Sequence, residues 1–223
     1  ARNTANAHNL AMRLAAARED WRTARAEAEA NWQISKTVPG LASAWPAVTA
    51  PTLALAQARL GDFTAAEATI GATPADCYPC LQMRARIAAL LGQQARADRW
   101  FARAVSEAPS IPFAHEAWGR ALLARGEPDA AIAQFTIANR KGPKFADPLE
   151  GWGEALMAKN QSHLALAKFA EAEKYAPNWG RLHLKWGEAL AYAGKANEAK
   201  AKFARAAQLD LTPSEKAELA RQQ

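Results

Sequence analysis

The chain has 223 residues and 24.0 kDa, half of them hydrophobic, which suffices for one or two ordinary domains or one long repeat array. Alanine, the best helix former, supplies 58 residues, whereas valine, isoleucine and threonine are sparse, which argues against a sheet-built fold. The net charge of +6 is a mild basic excess rather than the cationic block of a nucleic-acid arm, and no apolar run reaches the ~20 residues of a membrane span.

In chain order, residues 9–20 and 21–32 read as a helical pair, with Glu19 at its turn and Ala24 as a small packing residue. The start carries no charged-then-apolar leader, and Ala1 in place of methionine is expected of a processed or trimmed piece. Residues 36–47 hold two prolines and a glycine and are expected to form a turn-rich insertion. From about residue 47 to 73 a weak hairpin pattern follows, with Gly61 and Asp62 at a turn, Ala66 at a packing position and Ile70 after it.

A strict period then sets in. Phenylalanine recurs at Phe101, Phe135, Phe169 and Phe203, a step of 34 residues. Ala97, Ala131, Ala165 and Ala199 stand four residues before these, and Ala104, Ala138, Ala172 and Ala206 three after. Pro109, Pro143 and Pro177 form another series, broken by Leu211. Trp118 with Gly119, Trp152 with Gly153 and Trp186 with Gly187 keep the same step, as do Gly92, Gly126, Asn160 and Gly194. Each unit therefore predicts a helix ending at a left-handed glycine or asparagine cap, then a second helix with Ala, Phe and Ala on one face. One such hairpin buries too little to stand alone, so neighbours must stack. Beyond the last unit, Thr212, Pro213, Ser214 and Glu215 form a capping box before a closing helix over about 213–221.

These residues resemble the tetratricopeptide repeat. In that frame Gly119 is the eighth position, Ala131 the twentieth, Phe135 the twenty-fourth, Ala138 the twenty-seventh and Pro143 the thirty-second. The seventh position departs from the family by holding Trp118, Trp152 and Trp186, and the fourth by holding Leu81, His115, Leu149 and His183. The resemblance implies an all-α, right-handed α-solenoid of stacked antiparallel helix pairs. The organisation expected is an N-terminal pair and insertion over 1–46, a solenoid over 47–211 (a degenerate repeat to about 73, then 77–109, 111–143, 145–177 and 179–211) and a capping helix over 212–223.

Chemistry is thin along the chain. Cys77 and Cys80 flank Tyr78 and Pro79 at a helix start, where a thiol pair can be redox-active, yet no βαβ setting accompanies them and no second ligand pair is present for zinc. A local disulfide or buried thiols in an inter-repeat loop is the expectation. His115 and His183 occupy one repeat position two hairpins apart, and stacked hairpins ~10 Å thick keep them from sharing a ligand, so both are expected to be packing residues. No nucleophilic triad, metalloprotease motif or phosphate loop appears, and neither catalysis, a cofactor nor a metal is expected.

The resemblance implies that ligands lie along the first helices of the pairs. Its fifth position maps to Gln82, Glu116, Glu150 and Leu184; its ninth to Arg86, Arg120, Glu154 and Glu188; its twelfth or thirteenth to Ala89, Leu123, Met157 and Tyr192. Trp179 and Tyr192 are the expected exposed aromatics. Two readings of the charges stand open: an acidic wall for a basic or amphipathic segment, or carboxylates neutralised by Arg120 across adjacent helices. The Lys and Asn clamp that some members use for carboxylate termini does not transfer, because Pro51, Leu55, Gln82 and Arg86 stand there. A non-catalytic module binding a peptide or protein segment is expected. The alternatives are nucleic-acid binding through Arg84, Arg86, Arg96, Arg99, Arg103 and Arg120, thiol chemistry at Cys77 and Cys80, and self-association.

Overall fold

A computed structural model describes residues 1–222 and shows fourteen helices and no strand among them. The helices are α1 (Arg2–Ala17), α2 (Trp21–Ser35), α3 (Leu41–Val48), α4 (Ala50–Arg59), α5 (Phe63–Gly71), α6 (Tyr78–Leu90) and α7 (Gln94–Glu107), then α8 (Phe113–Ala124), α9 (Pro128–Lys141), α10 (Ala146–Ala158), α11 (Ser162–Glu173), α12 (Gly180–Tyr192), α13 (Ala196–Ala207) and α14 (Pro213–Ala220). They fall into two compact units, Ala1–Pro109 and Ser110–Gln223.

Within each unit the helices form antiparallel pairs that stack. In the N-terminal unit the pairs are α1 with α2, α4 with α5 and α6 with α7; α4 packs on α2, and α6 on both α4 and α5. In the C-terminal unit they are α8 with α9, α10 with α11 and α12 with α13. There each first helix packs on the next first helix, each second helix on the following pair, and α14 closes against α12 and α13.

One backbone device repeats at every pair. The first helix ends at a residue of positive φ: Glu19 (57°), Gly61 (84°), Gly92 (70°), Gly126 (83°), Asn160 (58°) and Gly194 (76°). The next residue then returns its N–H to a carbonyl five residues back, as Asp20 does to Ala15 and Lys195 to Leu190, both at 2.9 Å. This satisfies an orphan carbonyl and reverses the chain. Glycine carries the left-handed geometry without a Cβ clash, while Asn160 and Glu19 carry it at some cost. The expected turn at Glu19 is thus present, and the motif extends the repeat to both weak N-terminal pairs.

The 34-residue series fills the core. Phe101, Phe135 and Phe169 are wholly buried, Phe203 nearly so, and Ile70 occupies the equivalent site in the α4–α5 pair. Each buried Phe contributes ~2–3 kcal/mol by area removed from water. The eighth-position glycines permit this. A Cβ on Gly119 would lie 2.7 Å from Phe135 Cε1, and one on Gly153 2.6 Å from Phe169 Cε1. Gly151, from the next pair, meets the same Phe135 ring at 2.6 Å. In the pairs α8–α9, α10–α11 and α12–α13 the ring thus lies where the first helix carries no side chain, whereas α6–α7 accommodates Ala85 at the same position.

Two of the three seventh-position tryptophans, Trp152 and Trp186, have an electrostatic reason. Lys168 Nζ stands 4.2 Å from the Trp152 ring centre and Lys202 Nζ 3.4 Å from that of Trp186, both lysines at the twenty-third position of their repeats. In the α6–α7 pair the two partners exchange places: Arg84 holds the seventh position, Trp100 the twenty-third, and the guanidinium carbon lies 5.3 Å from the ring centre.

The segment 36–47 is not wholly turn. After the reversal at Gly40 (φ 81°), helix α3 runs through Pro46. Tertiary packing overrides the proline: Trp45 packs on Trp32 with ring centres 4.7 Å apart and against the buried Met12, Ala28 and Leu53. Nearby, buried Asn31 ties α2 to α1 by donating to the Ala5 carbonyl at 2.6 Å. The closing helix starts where expected, with both halves of the capping box formed: Glu215 N–H to Thr212 Oγ1 at 3.3 Å and Thr212 N–H to Glu215 Oε2 at 2.8 Å.

Candidate functional site

The C-terminal unit aligns its first helices α8, α10 and α12 side by side, and the fifth and ninth positions meet along them. Arg120 on α8 reaches three carboxylates. Its Nε donates to Glu116 at 2.8 Å, and its two terminal nitrogens donate to Glu150 at 2.5 Å and Glu154 at 2.7 Å. A further 3.3 Å bond reaches the Asp147 carbonyl. From α12, Arg181 stands 3.2 Å from the other oxygen of Glu150, donates to Glu154 at 2.7 Å and lies 3.6 Å from Glu215. Lys185 continues the chain to Glu188 at 3.1 Å and Glu218 at 2.5 Å. Three cations thus thread six carboxylates across three helix pairs and α14.

Burial decides the protonation of this network. Glu150 is fully enclosed, and that burial, with the adjacent Glu154, pushes its carboxyl up to about 7 against the pull of Arg120 and Arg181. Burial would also raise Glu154, but Arg120 and Arg181 overcome it and hold that carboxyl down at about 2. The two acids therefore separate into one retained proton and one firm anion. Burial also raises Glu188, opposed by Lys185. Largely buried pairs of this kind, above all those that reach the enclosed Glu150, are costlier to break than exposed ones.

Of the residues expected on the groove, Glu116, Arg120, Glu150, Glu154 and Glu188 are thus joined in one network. Arg120 is satisfied by carboxylates rather than facing a bare acidic wall, and Glu150 has no exposed surface, serving to hold Arg120 and Arg181. Met157 is half-buried against the core of its pair, while Tyr192 is 62% exposed and donates to Asn160 Oδ1 at 2.8 Å. Gln82 and Arg86 lie on α6 in the N-terminal unit, both half-buried. Trp179 is not an exposed aromatic: it packs on the buried cluster around Leu182.

The cysteines are joined. Cys77 caps α6, the Cys80 N–H points to its sulfur at 3.4 Å, and a disulfide links the two. His115 and His183 are buried packing residues with one hydrogen bond each, His115 Nδ1 with Gln134 at 2.8 Å and His183 Nε2 donating to the Pro177 carbonyl at 2.9 Å. Burial lowers His115 further and keeps it neutral. Among the described residues no group of His, Cys, Asp or Glu is arranged to hold a metal ion, and no helix is long and apolar enough to cross a membrane.

Sequence reasoning missed Arg181, Lys185, Glu215 and Glu218. A signal for Arg181 was present: it and Asp147 occupy the second repeat position, which the resemblance assigns to the same face as the fifth and ninth. Lys185, at the sixth position, and the two glutamates of α14 carry no such mark, because α14 lies outside the period.

No family model matches the chain, and no curated protein does. Solved structures do. The chain superposes on PilW, a widely conserved type IV pilus biogenesis factor, with TM-score 0.61, 21% identity and coverage of 70% of this chain and 74% of that one. It superposes on a double mutant of MamA with TM-score 0.55, 17% identity and coverage of 73% and 93%. For YrrB, a TPR protein with an unusual peptide-binding site, the TM-score is 0.50, the identity 15% and the coverage 72% and 84%. Together with the 34-residue Gly-Ala-Phe-Ala frame and the six identical helix-ending reversals, these likenesses show that the chain has the fold of tetratricopeptide-repeat proteins, an all-α solenoid of stacked helix pairs.

Proposed function

We propose that the chain is a non-catalytic protein-interaction module that binds a basic or amphipathic peptide segment along α8, α10 and α12. One observation carries this reading: six carboxylates share only three cations on that face, so even with Glu150 protonated the network retains negative charge after every cation is used. Glu188 and Glu218 are each 26% exposed and hold the accessible part of that excess. Exposed Tyr192, one turn beyond Glu188, supplies an aromatic contact at the edge. A Lys- or Arg-bearing segment meets complementary charge there, which speeds encounter and excludes acidic partners. YrrB shows that a protein of this fold can hold a peptide-binding site.

The test is selection from a random peptide library on the full chain, followed by affinity measurement. Enriched peptides are expected to be basic, and Glu188→Lys with Glu218→Lys to weaken them at least about tenfold, equivalent to ~1.4 kcal/mol. Enrichment of acidic or purely apolar peptides, indifferent to those substitutions, refutes the acidic face as the site.

A further inference from the structure

The outer helix of the α6–α7 pair carries a different chemistry. Arg96, Arg99 and Arg103 recur on α7 at steps of three and four, and with Trp100 they line an open surface cavity of about 320 Å³. Asp98 projects from the opposite side of α7 by helical spacing, so it does not neutralise this face.

The arginines differ in how far they are committed. Arg96 is pinned by a two-pronged pair with Glu67, both bonds 2.8 Å. Arg103 has only Glu107, at 3.9 Å in an exposed pair, and Arg99 has no ion pair among the described residues. Behind them Arg84 lies against the Trp100 ring and donates to the Thr73 carbonyl at 2.9 Å, while its buried Nε has no hydrogen-bond partner. Burial lowers the Arg84 guanidinium, and the positive charge of Arg96 lowers it further. Four cations thus converge against two carboxylates, with the forks of Arg99 and Arg103 open to solvent.

We propose that this cavity binds a small phosphate-bearing ligand, its oxyanion held by Arg99 and Arg103 beside the fixed Arg96, with Trp100 as the apolar wall. Phosphate fits better than a carboxylate because its several oxygens and up to two charges can accept from the two open forks of Arg99 and Arg103 at once, beside the fixed charge of Arg96. The site stands on the second helix of its pair and is independent of the peptide-binding reading.

The test is calorimetric titration of the full chain with inorganic pyrophosphate and, separately, adenosine diphosphate, in about 0.1 M salt, where screening suppresses nonspecific attraction. Pyrophosphate is expected to bind with Kd below ~1 mM. Arg99→Ala with Arg103→Ala, both at exposed positions, is expected to weaken it at least tenfold with the helical circular dichroism unchanged. Arg99→Lys with Arg103→Lys keeps the charge but loses the forks and is expected to fall between. Tighter binding of the nucleotide than of pyrophosphate identifies a phosphate ester stacked on Trp100; equal binding identifies the free anion. Absence of binding, affinity unaffected by the alanine pair, or binding of a single-stranded oligonucleotide without binding of pyrophosphate overturns the proposal.

Discussion

Replacing Gly151 by alanine sets two effects of known sign against each other. A mid-helix glycine costs ~0.5–1 kcal/mol relative to alanine, so substitution alone would stabilise α10. The new Cβ, however, would stand 2.6 Å from Cζ and 2.7 Å from Cε1 of Phe135, a ring with no exposed surface. Ordinary contact requires the ring to retreat by roughly 1 Å into a close-packed interior, and overpacking of that kind costs ~1–3 kcal/mol. The net expectation is a loss of about 1 kcal/mol, read as a lower urea midpoint at unchanged slope by circular dichroism. Gly71→Ala is the control: nothing lies within 4 Å of its Cβ and it ends α5, so a gain of a few tenths of a kcal/mol is expected. Gly119 presses the same Cε1 edge from α8 at 2.7 Å. A single withdrawal of that edge relieves both contacts, so Gly119→Ala with Gly151→Ala should cost less than the sum. A Gly151→Ala protein more stable than the parent by the full helix-propensity gain would show that Phe135 is not clamped by these two glycines.

Three further outcomes follow from the ion network and the disulfide. Glu150 is raised when folded, so its contribution is complete below its unfolded value of 4.5 and is lost as pH rises through about 7; Glu154 is lowered, so its contribution is present above 4.5 and lost as pH falls through about 2. Stability should therefore decline between pH 5 and 7.5, and Glu150→Gln should flatten that limb in urea titrations; an unchanged slope refutes the buried proton. Arg120→Ala should cost ~3–5 kcal/mol by removing the cation shared by Glu116, Glu150 and the firmly ionised Glu154, whereas Arg25→Ala, which loses an exposed pair with Glu29, should cost ~0–1 kcal/mol. Thiol titration should find no free sulfhydryl before reduction, and Cys77→Ser with Cys80→Ser should lower stability by at most ~2 kcal/mol, because the closed loop is so short.

What could be read ahead of the coordinates follows the period. The caps at Gly92, Gly126, Asn160 and Gly194, the Phe and Ala faces and the box at Thr212 rest on local geometry, and local geometry is written in neighbouring residues. Helix α3 is hidden in the sequence because Pro39, Gly40 and Pro46 signal breaks, while its support comes from Trp32, Met12 and Leu53 on other elements. The pairing of Arg120 was open for a similar reason. Spacing places Glu116 one turn away, but the distances to Glu150 and Glu154 depend on how α8 and α10 are set against each other. Arg181 was within reach of the repeat frame; Glu215 and Glu218 were not.

The exchange of Arg84 and Trp100 relative to Trp152 and Lys168 has a consequence for how such hairpins diverge. A ring and a cation attract whichever helix carries which, so the contact survives when both members trade places and fails when only one changes. Drift at these two sites must then pass through a weakened intermediate or occur in concert. Any scheme that weighs each position singly registers two departures in the α6–α7 hairpin, whereas the hairpin itself has lost nothing.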